Sequence, residues 1–199
     1  EEVTGRLRAV EEAVETRGLH AAGFVAYEAA PGFDPAFAVR PAAHSFPLLW
    51  FGLYGVPREI TLPPFPDTPK TPAPPWSPSV SPEEYAQAFT RIKRHIRMGD
   101  TYQVNLTYRL RRAFTEEPWP TFLRLATAHD AAYAAFITTR GWSVCSASPE
   151  LFFSLDGTRL ESRPMKGTAP RGLTHAQDRQ NAAALQASEK DRAENLMVV

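Results

Sequence analysis

The chain has 199 residues, 43% of them apolar, enough for an ordinary globular domain with a hydrophobic core, which excludes disorder as the default state. Lysine plus arginine and aspartate plus glutamate both number 22, so a formal net charge of zero supplies no global field for nucleic acid or for an anionic membrane. The single cysteine, Cys145, excludes an internal disulfide framework and a cysteine-based zinc cluster, and fits a reducing, cytoplasmic setting.

Val3, Leu7, Val10 and Val14 recur at helical spacing and predict an amphipathic helix that Gly18 closes in a left-handed cap. Segments 21–29 (AGFVAYEAA) and 47–54 (PLLWFGLY), rich in β-branched and aromatic residues, predict two strands of a sheet. The longest apolar stretch, 46–56, is interrupted by Gly52 and Gly55 and falls far short of the roughly 20 residues that span a bilayer. No signal peptide is visible, and the chain opens at Glu1 rather than at methionine. From Pro63 to Pro82 lie nine of the 19 prolines, which deny the backbone its ladder donors and predict an extended connection over 63–81 between an N-terminal portion, 1–62, and the remainder, 82–199.

Ser81-Pro82-Glu83-Glu84 combines a serine N-cap, proline at the first helical position and glutamate three residues after the cap, and so predicts a helix start. Tyr85, Phe89, Ile92 and Ile96 form its apolar stripe, which Gly99 ends. From Thr101 the period changes to two, with Tyr102, Val104, Leu106, Tyr108 and Leu110 on one face and Gln103, Asn105, Thr107 and Arg109 on the other, which predicts a half-polar strand. Residues 131–138 and 142–147 predict two more strands, and 151–155 with 159–163 a hairpin around Asp156-Gly157. Helix-forming composition follows, with Ser188 and Asp191 as a cap-like start. The final run, Leu196 to Val199, is apolar and uncapped, and is expected to be the middle of an element in a truncated chain.

Four constellations could carry chemistry. The polar face at Gln103, Asn105 and Thr107 is read either as a solvated sheet face or as the floor of a cleft. Ser148-Pro149-Glu150 is read as a turn that presents a carboxylate. In Arg163-Pro164-Met165-Lys166-Gly167-Thr168-Ala169-Pro170-Arg171-Gly172, Gly167 lets backbone amides approach an anion, Thr168 adds a hydroxyl and Lys166 an amine; such a loop suits a carboxylate ligand, with a basic surface loop as the alternative. Asp191 and Glu194, three apart, share one helix face, which is either solvated or a magnesium site, since that ion needs only one or two protein carboxylates. The five histidines are scattered without metal spacing, and Arg91, Lys93, Arg94 and Arg97 lack the aromatic interleaving of a nucleic-acid surface.

In this order, GDTYQVNLTYRL (99–110), SASPELFF (146–153), SRPMKGTAPRG (162–172) and SEKDRAENLMVV (188–199) resemble the chorismate-binding enzymes, a family that includes aminodeoxychorismate synthase component I, anthranilate synthase component I and the isochorismate and salicylate synthases. The resemblance is firm over 82–199, and segment 17–37 looks like the N-terminal part of the aminodeoxychorismate branch. It implies an α+β fold, a sandwich of two large sheets covered by helices, of which this chain would hold only a part, with 82–199 the first part of the catalytic domain. It also implies a branch: the family's aminodeoxychorismate synthases often carry lysine before Gly-Thr, as Lys166 stands here, where anthranilate synthases usually carry alanine. The water-activating lysine of the isochorismate and salicylate enzymes is replaced by Gln103. By the same resemblance Lys166 is the nucleophile, Glu150 the general acid, Gly167 and Thr168 bind a substrate carboxylate, Gln103 lies in the substrate site, and Glu194 with Asp191 holds Mg2+. The implied reaction is amination of chorismate at C4 with ammonia from a glutamine amidotransferase subunit, with neither nucleic acid nor membrane as partner. Anthranilate synthesis or a non-catalytic remnant are the alternatives, and residues 1–199 alone are expected not to turn over chorismate.

Overall fold

The structure, a computed structural model, describes residues 2–40, 46–63, 74–128 and 131–198. Most of the proline-rich connection (64–73), His44, His129 and the terminal Val199 lie outside the described residues. Two compact units are present, Glu1–Pro63 and Pro64–Val199.

In the first unit helix α1 spans Glu2–Arg17, and Gly18 follows it with a left-handed φ of 61°. Strand β1 (His20–Val25) pairs antiparallel with β2 (Leu49–Tyr54), His20 opposite Tyr54 and Val25 opposite Leu49. The strand expected over 21–29 stops at Val25: Ala26 N still donates to Leu48 O at 2.7 Å, and Tyr27–Gly32 then turns into a 3-10 helix. Val3 and Ala29 are the buried apolar residues of this unit among those described. A methyl group on Gly32 would come within 2.9 Å of the Val3 side chain, so α1 and the 3-10 turn are in contact there.

In the second unit helix α2 spans Pro82–Met98 and carries the full capping box: Glu84 N donates to Ser81 Oγ (3.2 Å) while Ser81 N donates to Glu84 Oε2 (2.7 Å). Gly99 ends it at φ 79°, the left-handed region that only glycine enters without strain. Beyond it the expected strand does not form. Residues 102–109 are irregular, and only Leu110–Arg111 (β4) pairs, with Ser77–Pro78 (β3). Alternation specifies faces but a ladder needs a partner, and a proline in the short partner removes a donor from it. Burial does not follow the alternation either: Tyr102 is 74% exposed and Gln103 half-buried, while Leu106 is half-buried and Asn105, Thr107 and Arg109 are exposed. Tyr108 packs edge-on against Tyr85 of α2, ring centroids 5.9 Å apart.

Helix α3, Pro118–Ala128, lies over the hairpin of β5 (Tyr133–Thr138) and β6 (Ser143–Ser148). Here sits the core of the unit: Phe122, Leu123 and Ala126 are buried and pack on Trp119, Ala134, Phe136 and Cys145. Trp119, Phe122 and Phe136 form a ring cluster with centroids 5.1 to 5.4 Å apart. Burial of each large side chain here stabilises the unit by about 1.5–3 kcal/mol. A second hairpin, β7 (Leu151–Asp156) and β8 (Arg159–Arg163), turns through Gly157 at φ 57° and Thr158. Helices α4 (His175–Ala187) and α5 (Glu189–Val198) follow, separated at Ser188. The class is α+β, and among the described residues the strands form four two-stranded ladders.

Candidate active site

The register of the second hairpin places the first part of the site. Leu151 pairs with Arg163 at its open end, so the residues just outside the ladder, Glu150 and Pro164-Met165, come side by side. Ser148 Oγ donates to Glu150 O (3.0 Å) and accepts from Glu150 N (3.2 Å), a serine turn that fixes the corner between β6 and β7. From this corner Glu150 Oε1 accepts the backbone N–H of Met165 at 3.1 Å. Arg163 steadies the other side, donating through Nε to Glu161 Oε1 and through Nη1 to Tyr133 OH of β5 (3.3 Å). The SPE turn and the PMKGT loop thus meet through one hydrogen bond.

Further along, the loop is seated on α5. Gly167 has φ 79°, and a Cβ there would lie 2.8 Å from both Cβ and Cγ of Asp191. Asn195 Nδ2 donates to Lys166 O (3.1 Å) and to Asp191 O (3.0 Å). Asp191 N donates to Ser188 Oγ (3.3 Å), the cap expected from the sequence. Lys166 and Gly167 are half-buried and Thr168 is exposed. Among the described residues, no carboxylate pairs with the Lys166 ammonium, whereas Arg163 and Arg171 both have carboxylate partners.

The far end of the loop is pinned to α4. Arg171 makes a two-pronged contact with Asp178, Nε to Oδ1 and Nη2 to Oδ2, both 2.7 Å, and Gly172 N adds a third bond to Oδ1 (2.9 Å). Asn181 Nδ2 donates to Pro170 O (2.9 Å). The Arg171 hydrogen bonds, then that of the Gly172 amide, hold the Asp178 carboxyl down at about 2 from an ordinary 3.8. A lowered acid favours the docked loop above its unfolded value, and that contribution is lost as pH falls toward the folded one. The Gly172 amide should therefore keep its protection from hydrogen exchange at pH 5 and lose it, after correction for intrinsic rate, between about 4 and 2. Asp178→Asn should abolish that pH dependence; an unchanged protection profile would show that Asp178 does not anchor the loop.

Of the residues singled out from sequence, Glu150, Lys166, Gly167 and Asp191 are thus joined through one loop. Glu194 lies one turn along α5 from Asp191 and pairs at 3.6 Å with the exposed Lys190, a contact that is weak and easily exchanged. Gln103 is not joined to them: among the described residues its one recorded bond is Thr101 Oγ1 to its own carbonyl, 3.2 Å. Asn195, Asn181 and Asp178 were missed, although Asn195 stands four residues after Asp191, the spacing that stacks side chains on one helix face.

Among the described residues no three histidine, cysteine, aspartate or glutamate side chains group as a metal site. Magnesium does not need three, because water and substrate oxygens complete its octahedron. The half-buried carboxylates of Asp191 and Glu194 are donors of the right type for that ion.

A sequence profile described as chorismate binding enzyme matches residues 1–199. The chain belongs to that family. Among its family relatives, aminodeoxychorismate synthase component 1 of Escherichia coli (strain K12) is 37% identical over 124 residues, 62% of this chain and 27% of that protein. Anthranilate synthase component 1 1 of Haloarcula marismortui is 40% identical over 117 residues, 59% of this chain and 24% of the relative. Aminodeoxychorismate synthase of Streptomyces pristinaespiralis is 44% identical over 117 residues, 58% of this chain and 16% of the relative. The matched segment spans about a quarter or less of these relatives.

Proposed function

We propose that the protein aminates chorismate at C4 to give 4-amino-4-deoxychorismate, the precursor of p-aminobenzoate in folate synthesis, within the cytoplasm. The observation that carries this reading is the convergence of Glu150, Lys166 and Asp191 on one glycine-bearing loop, tied by the bond from Met165 N to Glu150 Oε1. Relatives named aminodeoxychorismate synthase component 1 support it, and the word component in that name supports a partner, here a glutamine amidotransferase subunit that supplies ammonia.

In this mechanism the substrate carboxylate is held by the Gly167 amide and the Thr168 hydroxyl. Lys166 Nζ, as the free amine, forms a bond to C2 while the ring double bonds shift and the C4–O bond breaks; the hydroxyl leaves as water on the proton of Glu150. Ammonia then forms a bond to C4, the double bonds shift back, and the C2–N bond breaks to restore the Lys166 amine, the surplus proton returning to Glu150. Glu194, with Asp191 through water, would hold Mg2+, which supplies positive charge to a substrate carboxylate when bound. By the resemblance alone, Gln103 occupies the sequence position at which the isochorismate and salicylate enzymes carry a water-activating lysine, and an amide cannot act as that base.

The test is product analysis. The intact protein expressed from its gene, given chorismate, Mg2+ and an ammonium salt, should yield 4-amino-4-deoxychorismate by chromatography and mass spectrometry. Anthranilate as the main product would favour a second reading, supported by the relatives named anthranilate synthase; isochorismate would contradict both.

A further inference from the structure

Asn195 uses both of its amide hydrogens, one on Lys166 O at 3.1 Å and the other on Asp191 O at 3.0 Å. The side chain is half-buried, and it rises from the same helix whose Asp191 touches Gly167. In a planar trans peptide the carbonyl oxygen and the following N–H point in opposite directions. With Lys166 O turned toward Asn195, the N–H of Gly167 is turned away from it. That N–H has no hydrogen-bond partner among the described residues. Gly167 at φ 79° carries no side chain, and the space a Cβ would take is filled by Asp191.

We propose that Asn195 is a positioning residue: by holding the Lys166 carbonyl against α5 it fixes the Lys166–Gly167 peptide plane, so that the Gly167 N–H stays aimed at the substrate carboxylate. This rests on the reading above for the identity of the carboxylate, though not for the orientation of the peptide. The chemistry of the asparagine is specific. An aspartate in its place would set carboxylate oxygens against two carbonyl oxygens, with no hydrogen to share, and would favour rotation of the plane. Loss of an amide aimed at an anion removes a charge-assisted hydrogen bond, which sets the size of the effect.

The experiment uses the intact protein with chorismate, Mg2+ and ammonium. Asn195→Asp should raise KM for chorismate at least about tenfold with kcat within about threefold, Asn195→Ala should fall between it and wild type, and Asn195→Gln, which keeps the donor, should recover most of the loss. The concentration of Mg2+ for half-maximal activity should move less than about threefold, because no metal donor is altered. An unchanged KM in Asn195→Asp and Asn195→Ala overturns the proposal. So does a fall of kcat alone, equal in all three variants, which is the mark of a merely structural role.

A second readout is independent of turnover. Benzoate, used as a simple carboxylate probe, should shift the backbone 15N resonance of Gly167 in wild type, and should need at least about ten times the concentration to do so in Asn195→Asp. If wild type turns over no chorismate but this shift behaves as stated, the functional reading fails and the peptide-plane assignment stands. If wild type is active and the benzoate response is the same in both proteins, the assignment fails alone.

Discussion

Gly167→Ala is expected to lower kcat/KM for chorismate by about a hundredfold or more in the intact protein. Two costs coincide at this position. The backbone φ of 79° lies in the left-handed region, where an L-residue costs about 1–2 kcal/mol. The added methyl would also sit 2.8 Å from Cβ and Cγ of Asp191, against a residue whose amide is held by Ser188 and whose carbonyl is held by Asn195. Overpacking of that kind costs about 1–3 kcal/mol. A combined displacement worth near 3 kcal/mol corresponds to about two decades in rate. The loop relieves the strain by lifting off α5, which carries Lys166 and the Gly167 amide away from the carboxylates of that helix. Steady-state kinetics with a thermal melt would check it: the melting temperature should fall by a few degrees while kcat/KM collapses. A kcat/KM within about threefold of wild type would show that the seat of Gly167 on Asp191 has no part in catalysis.

Glu150→Gln should lower kcat by about 10²–10⁴ while leaving the loop in place. Two roles meet in this side chain, and the substitution separates them. As an anchor, Glu150 Oε1 accepts the Met165 N–H, and the amide oxygen of glutamine accepts the same bond at the same reach. In the proposed mechanism Glu150 would also deliver a proton to the leaving hydroxyl, which an amide does not do. The predicted signature is therefore a fall in kcat with KM for chorismate and the melting temperature near wild type. Glu150→Ala should lose both, since the Met165 amide is left without its acceptor. If Glu150→Gln retains wild-type kcat, the carboxylate is only a strut for the loop and the proton comes from elsewhere.

Much of the local structure was legible because it is written in short spacings. Ser81-Pro82-Glu83-Glu84 specifies its own capping box, and Gly99 its own left-handed cap, within a few residues of backbone. The hairpin at 151–163 is equally local. Segment 102–109 was misread because alternation states which side chains share a face and says nothing of whether another strand arrives to pair; here Ser77–Pro78 supplies only two residues. Helix α3 was missed for the opposite reason. Its prolines at 118 and 120 look like breakers, yet both fall in the first turn, where the missing N–H groups have no helical acceptor. The stripe of Trp119, Phe122, Leu123 and Ala126, at i, i+3, i+4 and i+7, was readable all the same.

The site divides in the same way. Lys166, Gly167 and Thr168 stood out in the sequence as amine, glycine and hydroxyl in succession. What the spacing could not reveal is where the loop lies. Its contacts with Asp191 and Asn195, with Asp178 and Asn181, and with Glu150 all bridge residues on separate elements. These contacts turn a glycine-rich turn into a clamped one, and only the folded chain brings them together.

Attack of the Lys166 amine on the substrate can be caught by adding chorismate and Mg2+ to the intact protein without any ammonia source, then measuring the protein mass. With no ammonia to expel the lysine, a chorismate-derived adduct that has lost water should accumulate and map, after proteolysis, to the peptide containing Lys166. Lys166→Arg keeps the charge yet lacks a nucleophilic amine, and should form none. An unmodified wild-type mass, together with near-wild-type amination by Lys166→Arg, would rule out that attack and leave Lys166 as an anion binder.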